Sequence, residues 1–168
     1  PLKQKVQKLL DNGISLYGIH LPMDGHPEIG HNALILKTIG ASAVEPFELG
    51  FKGANTRGHS LDKIVEILHE YLHPSTYHVP SANGAHRHFG LSTRYGFTVL
   101  DNGPEVPKQI AMITGGSSYL YEKAVEAGAD TFLGGDIKEK TPGFSLDTST
   151  NFVNLGHYFS EKPGVLEL

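Results

Sequence analysis

The apolar positions along this chain follow a helical rhythm in some stretches and a strand rhythm in others. Leu2, Val6, Leu9 and Leu10 recur at i, i+4, i+7 and i+8, and Asn12-Gly13 supplies a stop, which predicts a short amphipathic opening helix. The same spacing is clearest over 61–72, where Leu61, Ile64, Val65, Leu68, Tyr71 and Leu72 mark one face and Pro74 ends it. Residues 32–39 are apolar on almost every side (Leu34, Ile35, Leu36, Ile39) and stop at Gly40, which predicts a buried helix. A further helix is expected over 119–127, entered from the turn Gly115-Gly116-Ser117-Ser118 and closed by Gly128.

The strand rhythm fills the gaps. Residues 14–19 alternate loosely and run into His20-Leu21-Pro22-Met23-Asp24-Gly25-His26-Pro27, whose prolines and glycine prevent continuation as helix or sheet. Residues 44–51 read as a strand pair with Gly50 and Gly53 as turn points, and 110–114, 130–133 and 152–155 read as short strands. Pro74, Pro80, Pro104 and Pro107 break 73–109 into strands and loops, 95–100 among them, and make it a candidate insert lobe. Residues 156–168 should form a last helix interrupted near Pro163 and Gly164. Strands alternating with helical stretches predict an α/β fold, a parallel or mixed sheet covered by helices. In such sheets ligands bind beyond the carboxyl ends of the strands. Three polar segments follow predicted strands, at 20–26, 115–118 and 156–161.

Composition narrows the function. With 168 residues, 39% apolar and 19% charged, the chain can bury one core, as a single domain or two small lobes. Its 14 Lys and Arg against 18 Asp and Glu are scattered, without a stripe to neutralise phosphates, so nucleic acid is not an expected partner. With no cysteine, any metal must take nitrogen and oxygen ligands. No run of apolar residues is long enough to span a membrane, and the N-terminus lacks a signal-peptide pattern, so a soluble, cytoplasmic protein is expected. The sequence begins at Pro1, without Met, and enters a helical pattern at once, which suggests an upstream segment.

His157 and Glu161 stand four apart and would share a helix face, where a pair of this kind can bind one metal ion. The alternative for such a pair is a solvated face. His20, Asp24 and His26 form a second cluster between prolines, suited to a metal or a polarised water, or else a turn in which Asp24 caps the backbone. Gly115, Gly116 and Ser117 offer backbone N–H groups to an anion, or make a tight turn with a Ser cap; they match neither the P-loop nor the dinucleotide pattern. Asp136 after Gly134-Gly135 is either a group supporting the site or a helix cap. His59, His69, His73, His78, His86 and His88 lack ligand-like partners, and His86-Arg87-His88 reads as a surface loop.

Four segments in order resemble one family: 15–27 (Ser15-Leu16-Tyr17-Gly18-Ile19-His20-Leu21-Pro22-Met23-Asp24-Gly25-His26-Pro27), Ile113-Thr114-Gly115-Gly116, 128–136 (Gly128-Ala129-Asp130-Thr131-Phe132-Leu133-Gly134-Gly135-Asp136), and Gly156-His157-Tyr158-Phe159-Ser160-Glu161. This is the YbgI-like, or Nif-three-like, family, usually named GTP cyclohydrolase I type 2 homologues. The resemblance implies intertwined α/β lobes, a toroidal homohexamer, and a pair of divalent ions (Zn, Fe or Mn) facing the ring interior. It places one metal ligand on Asp24 and others on His157 and Glu161, with His20 beside the metals. The family's remaining ligands, a His-His pair followed by Gly, would lie upstream of Pro1, and no adjacent histidines occur in this sequence. Many relatives carry a histidine after Gly135-Asp136, where this chain reads Ile137-Lys138-Glu139-Lys140-Thr141, and Leu168 comes before the family's final helix and strand.

Three functions follow as expectations. The first is a dinuclear metal-dependent hydrolase acting on a nucleotide or another phosphate-containing small molecule, with His20 or His26 moving protons. The second is a non-catalytic metal storage, delivery or scaffold protein. The third, a nucleotide- or anion-binding regulator, would use 115–118.

Overall fold

The computed structural model describes residues 2–72 and 91–168. Seven strands form one sheet in the order β1 (Ser42–Phe47), β2 (Gly50–Ala54), β5 (Gln109–Ile113), β6 (Thr131–Gly134), β7 (Asn151–Asn154), β4 (Phe97–Asp101), β3 (Leu91–Arg94). The central three are parallel, with Met112 opposite Leu133 and Leu133 opposite Val153. An antiparallel hairpin flanks them on each side, through β2 against β5 and β4 against β7. The α/β class expected from the alternation is the class observed.

Strands buried on both faces read as continuous apolar runs, and β5 (QIAMI) is such a run. Ile110 and Met112 face one core with Leu133 and Val153, covered by helices α3 (His31–Thr38) and α4 (Leu61–Leu72). Ala111 and Ile113 face the other with Phe132 and Phe152, covered by α5 (Tyr121–Glu126) and by Phe144 of α6 (Thr141–Thr148). Helix α4 has the bounds its spacing predicts, and burial of Ile64, Val65 and Leu68 explains why its stripe is so regular.

Several expectations need correction. Residues 14–19 are not a strand: they carry no regular structure and lie exposed, because no described strand pairs with them. The Pro22 segment is not wholly irregular. It contains the one-turn helix α2 (Leu21–Asp24), where the proline stands in the first turn and its missing N–H costs nothing. The β1–β2 turn falls at Glu48 and Leu49, with Gly50 and Gly53 inside β2. A 3-10 turn over Ser118–Leu120 precedes α5. Helix α6 is unanticipated, since Pro142 and Gly143 disguise it. The last stretch divides into α7 (His157–Ser160) and α8 (Pro163–Glu167), and α1 (Leu2–Asp11) opens the chain as expected. Of the region 73–109, residues 73–90 lie outside the description, His73, His78, His86 and His88 with them, and 91–101 belong to the main sheet.

Candidate metal centre

The carboxyl ends of β5, β6 and β7 meet at three glycine-bearing turns: Thr114-Gly115-Gly116, Gly134-Gly135-Asp136 and Leu155-Gly156-His157. Gly156 has φ +84°, a conformation that costs other residues strain, and turns the chain from β7 into α7 so that His157 begins the helix. His157 Nε2 lies 3.3 Å from Glu161 Oε1, so the spacing of four brings imidazole and carboxylate together. Gly115, with φ +67°, makes room for both. A Cβ there would stand 2.7 Å from Glu161 Oε1 and 3.4 Å from His157 Nε2.

Asp24 ends α2 and is buried, 8% exposed. The Thr114 hydroxyl donates to its Oδ1 at 3.0 Å. Asn32, fully buried, fixes the surrounding backbone: its Nδ2 donates to the carbonyls of Asp24 (3.0 Å) and Leu49 (3.2 Å), and its Oδ1 accepts from the Thr114 N–H at 2.8 Å. Asp24, His157, Glu161, His20, Leu21, Leu49 and Tyr119, together with residues 113–117, line one cavity of about 230 Å³.

The other expected site residues divide. His20 lines the cavity and is exposed. His26 is not among the residues that line the cavity; its Nδ1 accepts the backbone N–H groups of Glu28 and Ile29, so it caps a turn. Gly115, Gly116 and Ser117 reach the wall, but the turn's hydrogen bonds are directed inward. The Ser117 hydroxyl donates to Ile113, and the Ser118 N–H donates to Asp136 Oδ1 at 3.3 Å. Asp136 therefore caps the 3-10 turn.

His31, Asn32 and Thr114 were missed. The available signal was Gly30-His31-Asn32 opening an otherwise apolar helix, two polar residues where burial was expected. Both are buried, and burial pushes the His31 imidazole below its usual pKa, while the Asp24 and Glu161 carboxylates act to raise it.

The donors here are two carboxylates and an imidazole, a chemistry that suits Zn, Fe or Mn. Among the described residues no lysine or arginine pairs with buried Asp24, and a buried carboxylate without a cation is costly. The donor types suit a divalent ion, although among the described residues no group of three or more His, Asp and Glu converges closely enough to hold one alone.

The chain is similar to curated proteins over almost its whole length. It is 33% identical over 173 residues to the GTP cyclohydrolase 1 type 2 homolog of Pyrococcus horikoshii, covering 99% of this chain and 61% of that protein. To the protein of that name from Haemophilus influenzae it is 28% identical over 165 residues, covering 98% and 60%. It thus spans about three fifths of these relatives. Among solved structures, protein ybgI, described as of unknown function, superposes with TM-score 0.74 at 28% identity, over 95% of this chain and 57% of that one. TTHA1606 of Thermus thermophilus gives 0.76 at 22% identity, over 98% and 58%, a likeness of fold. The Duf34/NIF3 (NGG1p interacting factor 3) family model matches residues 1–168, and the chain belongs to that family.

Proposed function

We propose that this chain supplies Asp24, His157 and Glu161 to a divalent metal centre, and that the protein is a metal-dependent hydrolase acting on a nucleotide or other phosphate-containing small molecule. The observation that carries this reading is a buried carboxylate, free of any described ion pair, in one cavity with a His–Glu pair at the carboxyl ends of parallel strands. The name of the curated relatives, GTP cyclohydrolase 1 type 2 homolog, accords with it.

A bound divalent ion supplies a water of lowered pKa and polarises the group under attack. The chain's own residues do the rest. The Thr114 hydroxyl occupies one lone pair of Asp24 Oδ1 and aims the carboxylate. The missing Cβ of Gly115 lets Glu161 stand against the strand end beside His157. His20, at the wall, is the residue proposed to take or give a proton. At about 230 Å³ the cavity is below the roughly 300 Å³ at which small-molecule sites begin. Within this chain it therefore suits the reacting group of a substrate rather than a whole nucleotide.

Self-association belongs to the same reading. Leu2, Leu10, Ile14, Leu16, Tyr17 and Leu21 stay exposed along the first 21 residues, and apolar surface of this extent suits an interface. A homohexameric ring is the proposed assembly.

The test is turnover by the full-length protein loaded in turn with Mn, Fe and Zn, using GTP and a panel of phosphate monoesters. Product formation that falls at least about a hundredfold in Glu161→Ala supports hydrolysis. Metal held tightly without any turnover would instead support storage or delivery.

A further inference from the structure

His31 lies where the two sides of the candidate centre meet. It begins α3, is 5% exposed, and its Nδ1 accepts the Gly164 N–H at 3.0 Å. That bond ties α3 to α8, the segment that follows Glu161. The approach is close: a Cβ at Gly164 would stand 2.6 Å from Met23 Sδ, 2.8 Å from the Ile29 carbonyl oxygen and 3.0 Å from His31 Nδ1. The next residue, Asn32, holds the Asp24 carbonyl and the Thr114 N–H. Successive side chains in one helical turn thus grip the Asp24 side and the Glu161 side.

We propose that His31 is a positioning residue for the metal centre, setting the separation of Glu161 from Asp24 through its Nδ1 acceptor, without itself being a ligand. This rests on the metal-centre reading above. An Nδ1 that accepts an N–H carries no proton, so the neutral ring carries its proton on Nε2 and has no Nε2 lone pair for a metal. A protonated ring would donate from both nitrogens and leave the Gly164 N–H without its acceptor. Burial favours the neutral form, while the Asp24 and Glu161 charges both reach the ring. A neutral imidazole can therefore hold the two sides together without cancelling the carboxylate charge that a cation needs. A lysine or arginine there would compete with the metal.

The experiment uses the full-length protein and Zn with a competing chelator, comparing wild type, His31→Ala and His31→Asn, together with the visible spectrum of each loaded with Co. Removing the group that orients a ligand typically weakens metal binding about tenfold to a hundredfold. His31→Ala should show that loss and a shifted Co spectrum. His31→Asn, whose Oδ1 can stand in for Nδ1, should recover wild-type affinity and spectrum, a rescue that a merely space-filling role would not produce. Wild-type affinity in His31→Ala, or an Asn variant as weak as Ala, overturns the positioning role and leaves the metal centre standing. A wild type that takes up no Zn overturns the metal reading and this inference with it. Should His31→Ala not fold, long-range 1H–15N NMR of the wild type decides: a neutral ring protonated on Nε2, shifting on Zn loading, supports the role, and an Nδ1–H ring or one indifferent to Zn overturns it.

Discussion

Asn32 shows how much of the site depends on a residue that does no chemistry. Both its amide protons and its carbonyl oxygen are engaged, joining Asp24, Leu49 and Thr114 across up to 82 residues of sequence. A buried polar group left without its partner costs about 1–3 kcal/mol, and Asn32→Leu would orphan one N–H and two carbonyls. The variant should lose about 2–4 kcal/mol in urea unfolding with little change in slope. A loss under about 0.5 kcal/mol would mean that the three bonds contribute little. His31 gives a pH signature. Its folded pKa lies below the usual 6.5, so the unfolded chain binds the extra proton first as pH falls. Its stabilisation is therefore complete above that value and is lost as pH drops from about 6.5 through the lowered pKa. The stability difference between metal-free wild type and His31→Asn should shrink from about pH 7.5 to pH 5; a difference constant with pH would contradict it. The His157–Glu161 pair was legible because both residues sit on one short segment. Asn32, Thr114 and His31 were not, because the bonds that tie Asn32 to Thr114, Thr114 to Asp24 and His31 to Gly164 span 82 to 133 residues of sequence.

At the scale of elements, the site exists because three turns pack without side chains. Gly135 lies so close to Gly115 that a Cβ would stand 2.5 Å from its carbonyl oxygen and 2.6 Å from its nitrogen, both backbone atoms that cannot step aside. Gly135→Ala should cost about 1–3 kcal/mol or more, read as a lower Tm. Gly115→Ala meets side chains rather than backbone, the far end of Glu161 closely and the His157 ring at contact distance, and its φ of +67° adds strain of about 1–2 kcal/mol. It should displace that carboxylate and weaken metal binding while the fold survives; unchanged Zn affinity would contradict the placement of Glu161 against the strand. The central strands were readable because burial on both faces makes the middle of β5, β6 and β7 apolar (residues 110–113, Phe132-Leu133, Phe152-Val153), and α4 because its buried stripe spans three turns. Residues 14–19 misled because alternation identifies a strand only where a neighbour is there to pair with, and α6 was hidden because Pro142 is harmless in a first turn.

Across the whole molecule, the fold brings residues from both ends of the sequence to the wall of one cavity at the end of the parallel strands, Asp24 from the first 24 residues and Glu161 from the last eight. Among the described residues no helix is long and apolar enough to cross a membrane. The apolar N-terminal strip makes assembly testable. In sedimentation of the full-length protein, Leu16→Asp together with Tyr17→Asp should yield a smaller species than wild type, and an unchanged size would remove this strip from the interface. Metal occupancy tests the proposed centre most directly. Elemental analysis of the full-length protein, purified without chelators, should find about two divalent ions per subunit, falling clearly in Asp24→Ala and Glu161→Ala. A wild type supplied with Zn, Fe and Mn that retains none would contradict it.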